Sequence, residues 1–161
     1  MICGKLCSGK TTYARRLLQA GNAALLSIDE IMLTMFGQHC GDMHEEYAAR
    51  AEKYLLGKAL ELTDAGVDVV FDWGFWREEQ RRRVRGIVEA RGIECQMHLI
   101  HIDDAEWKKC IEKRNAEVLS GKIEAYYVDE NLARKFERLF EQPDDGAADV
   151  IVYAHHECTE N

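Results

Sequence analysis

Short apolar runs alternate along this chain with longer segments in which apolar positions recur every three or four residues, the mark of strands alternating with helices. Ala23 to Ile28 is one such run; Val67 to Phe71 is a second, β-branched and closed by Asp72. Ile93 to Ile102 alternates in part, with Cys95, Met97 and Leu99 against Gln96 and His98, and Val150 to Tyr153 is a last strand. Met1 to Cys3 reads as the short end of a first strand. Between them the pattern predicts helices over Lys10 to Ala20 (stopped by Gly21), Glu30 to Phe36, His44 to Ala65, Arg77 to Ala90 (closed by Gly92), Ala105 to Arg114 and Val128 to Phe140. Tyr47, Ala51, Tyr54, Leu55, Lys58 and Leu62 mark one face of the third.

That alternation predicts an α/β fold, a mostly parallel sheet with helices on both faces. Such sheets bind ligands at the carboxyl ends of their strands. The sequence puts Gly4, Asp29 and Asp72 at three such ends. With one proline, Pro143, and no Ser/Gly-rich linker or repeat, residues 1–161 read as one domain.

The segment Gly4-Lys5-Leu6-Cys7-Ser8-Gly9-Lys10-Thr11 gives this architecture its chemistry. In a Gly-x-x-x-x-Gly-Lys-Thr loop the glycines let the backbone curl with its N–H groups inward, and those groups and the helix N-terminus hold phosphates. Lys10 would reach the β and γ phosphates and the Thr11 hydroxyl would ligate Mg²⁺. The expected nucleotide-binding set is Gly4, Cys7, Ser8, Gly9, Lys10, Thr11 and Thr12, with ATP and Mg²⁺ as the ligands. Cys7 reads as a small side chain tolerated in the loop rather than a redox thiol.

Carboxylates follow two strands. Asp72, after Val69-Val70-Phe71, is a candidate Mg²⁺ ligand with Thr11; the alternative is a capping or loop aspartate. Asp29, in Ser27-Ile28-Asp29-Glu30, is a candidate general base for an acceptor hydroxyl, or an N-cap of the next helix. Trp73-Gly74-Phe75-Trp76-Arg77 either lines an acceptor pocket, with Arg77 on an anion, or is aromatic packing beside a surface arginine. Arg81, Arg82, Arg83 and Arg85 read as a solvated helix face. Arg114, in Lys113-Arg114-Asn115, is the best candidate for the cation that closes over the γ-phosphate. Lys122 and Arg134 are weaker, because Arg134 can pair with Glu130 or Glu137 at helix spacing.

Composition narrows the choice. A net charge of −8 argues against general nucleic-acid binding. No apolar run is long enough to span a bilayer, and the glycine loop follows the first residues directly, so a cytoplasmic protein is expected. The six cysteines form no CxxC pair. Neither His39-Cys40 with His44 nor His155-His156 with Cys158 has a matching second pair, so no metal is assigned to them.

With the loop, Asp29, Asp72 and Arg114-Asn115 in place, the chain resembles the small P-loop kinases: polynucleotide 5′-kinase domains, chloramphenicol phosphotransferase, zeta toxins and gluconate-kinase-like proteins. The likeness extends over most of the chain, including Gly74-Phe75-Trp76-Arg77 and the run from Phe136 to Pro143. It implies a three-layer P-loop NTPase fold with a five-stranded parallel sheet and a small helical lid near 115–127. It also implies ATP-dependent phosphorylation of an alcohol, with Asp29 as the acceptor-activating carboxylate, Arg114 as the lid arginine and Pro143 to Asp149 beside the adenine. Lids of the family often carry a second arginine, where this chain has only Lys122. The acceptor expected is a small molecule (a sugar, nucleoside-like compound or antibiotic), its pocket drawn from residues 30–60 with Phe36, Arg50 and Tyr54 as candidates. A polynucleotide 5′-hydroxyl kinase and a nucleotide-dependent regulatory or toxin-like NTPase are the alternatives.

Overall fold

A computed structural model describes residues 1–19, 21–144 and 146–154. Its five strands are all parallel: β1 Ile2–Gly4, β2 Ala23–Ser27, β3 Asp68–Asp72, β4 His98–His101 and β5 Val150–Tyr153. They alternate with helices α1 Lys10–Gln19, α2 Ile28–Phe36, α3 His44–Asp64, α4 Glu78–Glu89, α5 Asp104–Leu119 and α6 Glu130–Leu139. The expected continuous five-stranded sheet is not what forms. The strands make a three-stranded ladder, β1-β4-β5, and a two-stranded ladder, β2-β3. A single parallel bridge, Cys3 to Gly74, joins them. With only three residues before the glycine loop turns away, β1 has little length for a second ladder.

Side chains alternate across the strands and so feed two cores. Ile2, Val70 and Ile100 face α1, packing on Ala14, Leu17 and Leu18. Cys3, Phe71 and Leu99 face α3 and α4, packing on Leu55, Leu56, Ala59, Val84 and Val88. Parallel pairing brings every carboxyl end to one edge. Ser27 lies in register with Asp72, and Gly4 with Ile100.

Two predicted boundaries move. Residues 93–97 are not strand, because their backbone groups find other partners. Gln96 O accepts from the Met1 amino group at 2.8 Å, and Met97 N donates to the Asp149 carboxylate at 2.7 Å. Helix α5 continues past Arg114 to Leu119, through good helix formers such as Ala116 and Glu117, and ends before Gly121 at φ 70°. The stretch 115–127 therefore starts as helix. The closing residues of the chain, including His155, His156 and Cys158, lie outside the described residues.

The arginine cluster of α4 is not a uniform solvated face. Arg81 is buried, and its Nη1 donates to Phe75 O at 3.0 Å and Trp76 O at 3.3 Å. It thereby anchors the turn that follows β3. Replacing Arg81 by Met would strand both carbonyls, and we expect a stability loss of about 2–3 kcal/mol, read as a lower urea midpoint. A loss within experimental error would show that the turn holds itself.

Candidate active site

The site starts with a loop that only particular residues can form. Gly4 sits at φ 152°, and a Cβ there would lie 2.6 Å from Ile100 O and 2.9 Å from Ser8 Oγ. Gly9 sits at φ 91° and Cys7 at φ 58°, so the chain reverses sharply between β1 and α1. Ser8 is buried, and its Oγ has no partner among the described residues. The outside of the loop is tied to α5: Trp107 Nε1 donates to Leu6 O at 2.5 Å, and Lys5 Nζ pairs with Asp104 at 2.5 Å.

Lys10 is the first residue of α1 and is buried. Its ammonium donates to Gly4 O at 3.1 Å and Lys5 O at 2.6 Å, and lies 4.7 Å from the centre of the Trp76 ring. Burial lowers its pKa to about 8, while Asp72, Cys7 and Asp29 oppose that shift. Thr11 Oγ1 donates to Asp72 Oδ2 at 2.7 Å, so the loop threonine and the β3 carboxylate meet as expected. Thr12, one residue on, is exposed.

Asp29 lies in the first turn of α2. The helix cap there is Ser27, whose hydroxyl accepts from Glu30 N at 3.3 Å, so the Asp29 carboxylate is not needed as a cap. Its side chain reaches solvent, yet protein surrounds it densely enough that burial is the main cause of a raised pKa. The carboxylate is thus open to solvent on one side and hemmed in by protein on the others. Asp72 pushes in the same direction; Arg114, Lys10 and His44 pull back.

Arg114 projects from α5 into this group. Its Nη1 contacts Cys7 Sγ at 3.5 Å, and its buried Nε has no acceptor. Burial raises the Cys7 thiol, against the pull of Arg114, which leaves it a poor redox centre. The loop, Asp72, Asp29 and Arg114 thus form one electrostatic cluster. Arg77 does not join it: it is exposed at the start of α4, with no side-chain partner. The other lid cations are engaged elsewhere, Lys122 with Glu117 at 3.5 Å and Arg134 with Glu130 at 2.6 Å.

The aromatic segment divides its labour. Trp73 and Phe75 belong to the core, while Trp76 packs on Phe136 at 4.8 Å and covers the Lys10 ammonium. Gly74 at φ 84° allows this, since a Cβ there would lie 2.6 Å from the Trp76 ring. Of the acceptor-side candidates, Phe36 stacks on Tyr47 at 4.8 Å. Arg50 pairs with Glu46, and with Tyr54 lines a groove on α3 whose lining does not include Asp29.

Sequence reading missed Arg81, Gln38 and Tyr126. Gln38 Nε2 donates to Ala125 O at 2.7 Å and its Oε1 accepts from Tyr127 N at 3.1 Å, tying the lid loop to the end of α2. Asn115 clasps Val128 the same way, at 2.7 and 2.8 Å. None of these pairings leaves a local signal in sequence. Among the described residues no group of three His, Cys, Asp or Glu could hold a metal ion, and no helix is long and apolar enough to cross a membrane.

Solved structures share this fold at low identity. The APS kinase of Mycobacterium tuberculosis, solved with AMPPNP and APS, is 20% identical, with TM-score 0.62 over 94% of this chain and 85% of that one. A sugar kinase from a Janibacter species is 16% identical, with TM-score 0.62 over 95% and 83%. A chain of the Pnkp1/Rnl/Hen1 RNA repair complex is 18% identical, with TM-score 0.64 over 86% of this chain but only 42% of that one. No curated protein gives a significant match. The fold is that of the P-loop kinases, and the pattern matched over residues 1–143 shows that the chain belongs to the AAA domain family.

Proposed function

We propose that the protein is an ATP-dependent phosphotransferase that moves the γ-phosphate to a hydroxyl of a small-molecule acceptor. The observation that carries this is the separation of two carboxylates around one P-loop. Asp72 is tied to the Thr11 hydroxyl. Asp29, relieved of capping by Ser27, sits in electrostatic range of Asp72, Lys10 and Arg114 with its pKa raised, chiefly by burial. A pure NTP-binding switch needs the first carboxylate but has no use for the second.

The loop amides, Ser8 and Lys10 would hold the phosphates. The unpartnered Ser8 Oγ and Arg114 Nε, both buried, fit an oxygen-rich ligand that would satisfy them. Thr11 and Asp72 supply the oxygen ligands that suit Mg²⁺, which when bound neutralises phosphate charge. In the transfer step the acceptor hydroxyl gives its proton to the Asp29 carboxylate. Its oxygen bonds to the γ-phosphorus while the bond from that phosphorus to the β–γ bridging oxygen breaks, and ADP leaves. Arg114 and Lys10 stabilise the charge spread over the transferring group. Arg77, exposed at the start of α4, is proposed as a cation at the cleft mouth.

The polynucleotide alternative uses the same carboxylates. A small molecule is favoured because Arg50, Arg82, Arg83 and Arg85 are all paired with carboxylates of the protein.

Three outcomes follow. Asp29→Asn should reduce transfer by about a hundredfold to ten-thousandfold while Mg·ATP affinity in calorimetry stays within about twofold; wild-type turnover in that variant would end the assignment. A protonated Asp29 cannot accept a proton, so kcat/KM should rise with pH along a limb lying above the ordinary carboxylate range. The residual activity of Asp29→Asn should lack that limb. Finally, the free protein holds Lys10 near its midpoint at pH 8, and bound phosphate favours the ammonium. Mg·ATP binding near pH 8 should therefore take up a fraction of a proton, seen as buffer-dependent heats, and affinity should fall as pH rises further. Heats independent of buffer would contradict the placement of that ammonium.

A further inference from the structure

The hydroxyl of Tyr126 is a buried polar group that the proposed mechanism leaves unused. Its oxygen is out of reach of water and has no hydrogen-bond partner among the described residues. A phenol so placed costs free energy unless something else takes its hydrogen bond. Its position is not an accident of a loose loop. Both neighbours are held through their backbone by Gln38, and Val128, two residues on, is held by Asn115. The ring itself packs edge-on against His44 at 5.8 Å. Asp29 lies within electrostatic range of both His44 and Tyr126. Burial is the main cause that pushes the phenol up to about 12, with Asp29 and Cys40 adding to it, so it stays a neutral donor at any working pH.

We infer that Tyr126 is a specificity-determining residue of the acceptor site, donating a hydrogen bond to a second oxygen of an acceptor whose reacting hydroxyl faces Asp29. The acceptor class is then a polyol, a compound with at least two oxygen functions close together, rather than a simple alcohol. This rests on the phosphotransferase reading and deepens it. Asp29 handles the proton of the reacting hydroxyl, whereas Tyr126 takes no part in the chemistry and fixes which molecules bring a hydroxyl to Asp29.

The test uses the full chain with Mg·ATP and follows phosphate ester formation by phosphorus NMR. D-ribose, D-glucose and glycerol serve as polyol probes, ethanol and 1-propanol as mono-alcohols. Wild type should prefer the polyols. Tyr126→Phe keeps the ring against His44 and loses only the hydroxyl. It should raise the KM for a polyol about tenfold with kcat changed less than about twofold, and so erase most of the preference over ethanol. Mg·ATP affinity of the variant, measured by calorimetry, shows that its fold is intact. Equal polyol-to-ethanol ratios in wild type and variant would overturn the role of Tyr126 while leaving the phosphotransferase reading standing. No ester with any probe, from protein that binds Mg·ATP, would overturn both.

Discussion

Burial of the Lys10 ammonium is the constraint around which the rest of the site is arranged. A lysine cation removed from water is costly unless its donors are used. Here Gly4 O and Lys5 O accept two of them, and the Trp76 face covers the charge. The two carbonyls can point inward only because Gly4 and Gly9 take backbone conformations closed to other residues, and because the Ile100 carbonyl leaves no room for a Cβ at Gly4. Asp72, whose charge favours the ammonium, is itself positioned by the length and register of β3. The ammonium is thus poised: its protein partners suffice to keep it buried, and an incoming phosphate offers better ones.

The turn after β3 reaches the same ammonium from the other side. Gly74 and Phe75 both hold positive φ, an unusual state for a phenylalanine. The strain is held by burial of Phe75 and by the Arg81 guanidinium gripping the two carbonyls that follow. What this secures is the turn that carries Trp76, whose ring lies over Lys10. Core packing on one side of the turn therefore sets electrostatics on the other.

The parts legible in sequence were those written in local pattern. The loop motif, the strand β5, the helix ends at Gly92 and the carboxylate closing β3 all depend on neighbours a few residues apart. The misread parts depend on distant partners. Residues 93–97 alternate like a strand, but Asp149 takes the Met97 amide. Arg81 looks like its exposed neighbours in sequence, and only the carbonyls of Phe75 and Trp76 single it out. Tyr126 sits in a polar stretch without periodicity, and Gln38, far away in the chain, gives it a fixed place. Asp29 reads in sequence as either cap or base, and the capping is done by Ser27, two residues earlier.

That last point bears on what kind of P-loop protein this is. Nucleotide hydrolysis and phosphoryl transfer share their phosphate-binding parts and differ in what stands opposite the γ-phosphate. Water needs little more than orientation there. An acceptor alcohol needs a base for its proton and a surface that prefers it to water. On the proposed phosphotransferase reading, Asp29 would answer the first need, and its raised pKa would bring it closer to that of the proton it takes. On the same reading the loop before α6, fixed by Gln38 and Asn115, would answer the second. A site with both features would take a second molecule beside the nucleotide, which would suit it to transfer rather than timing, as the proposed function has it.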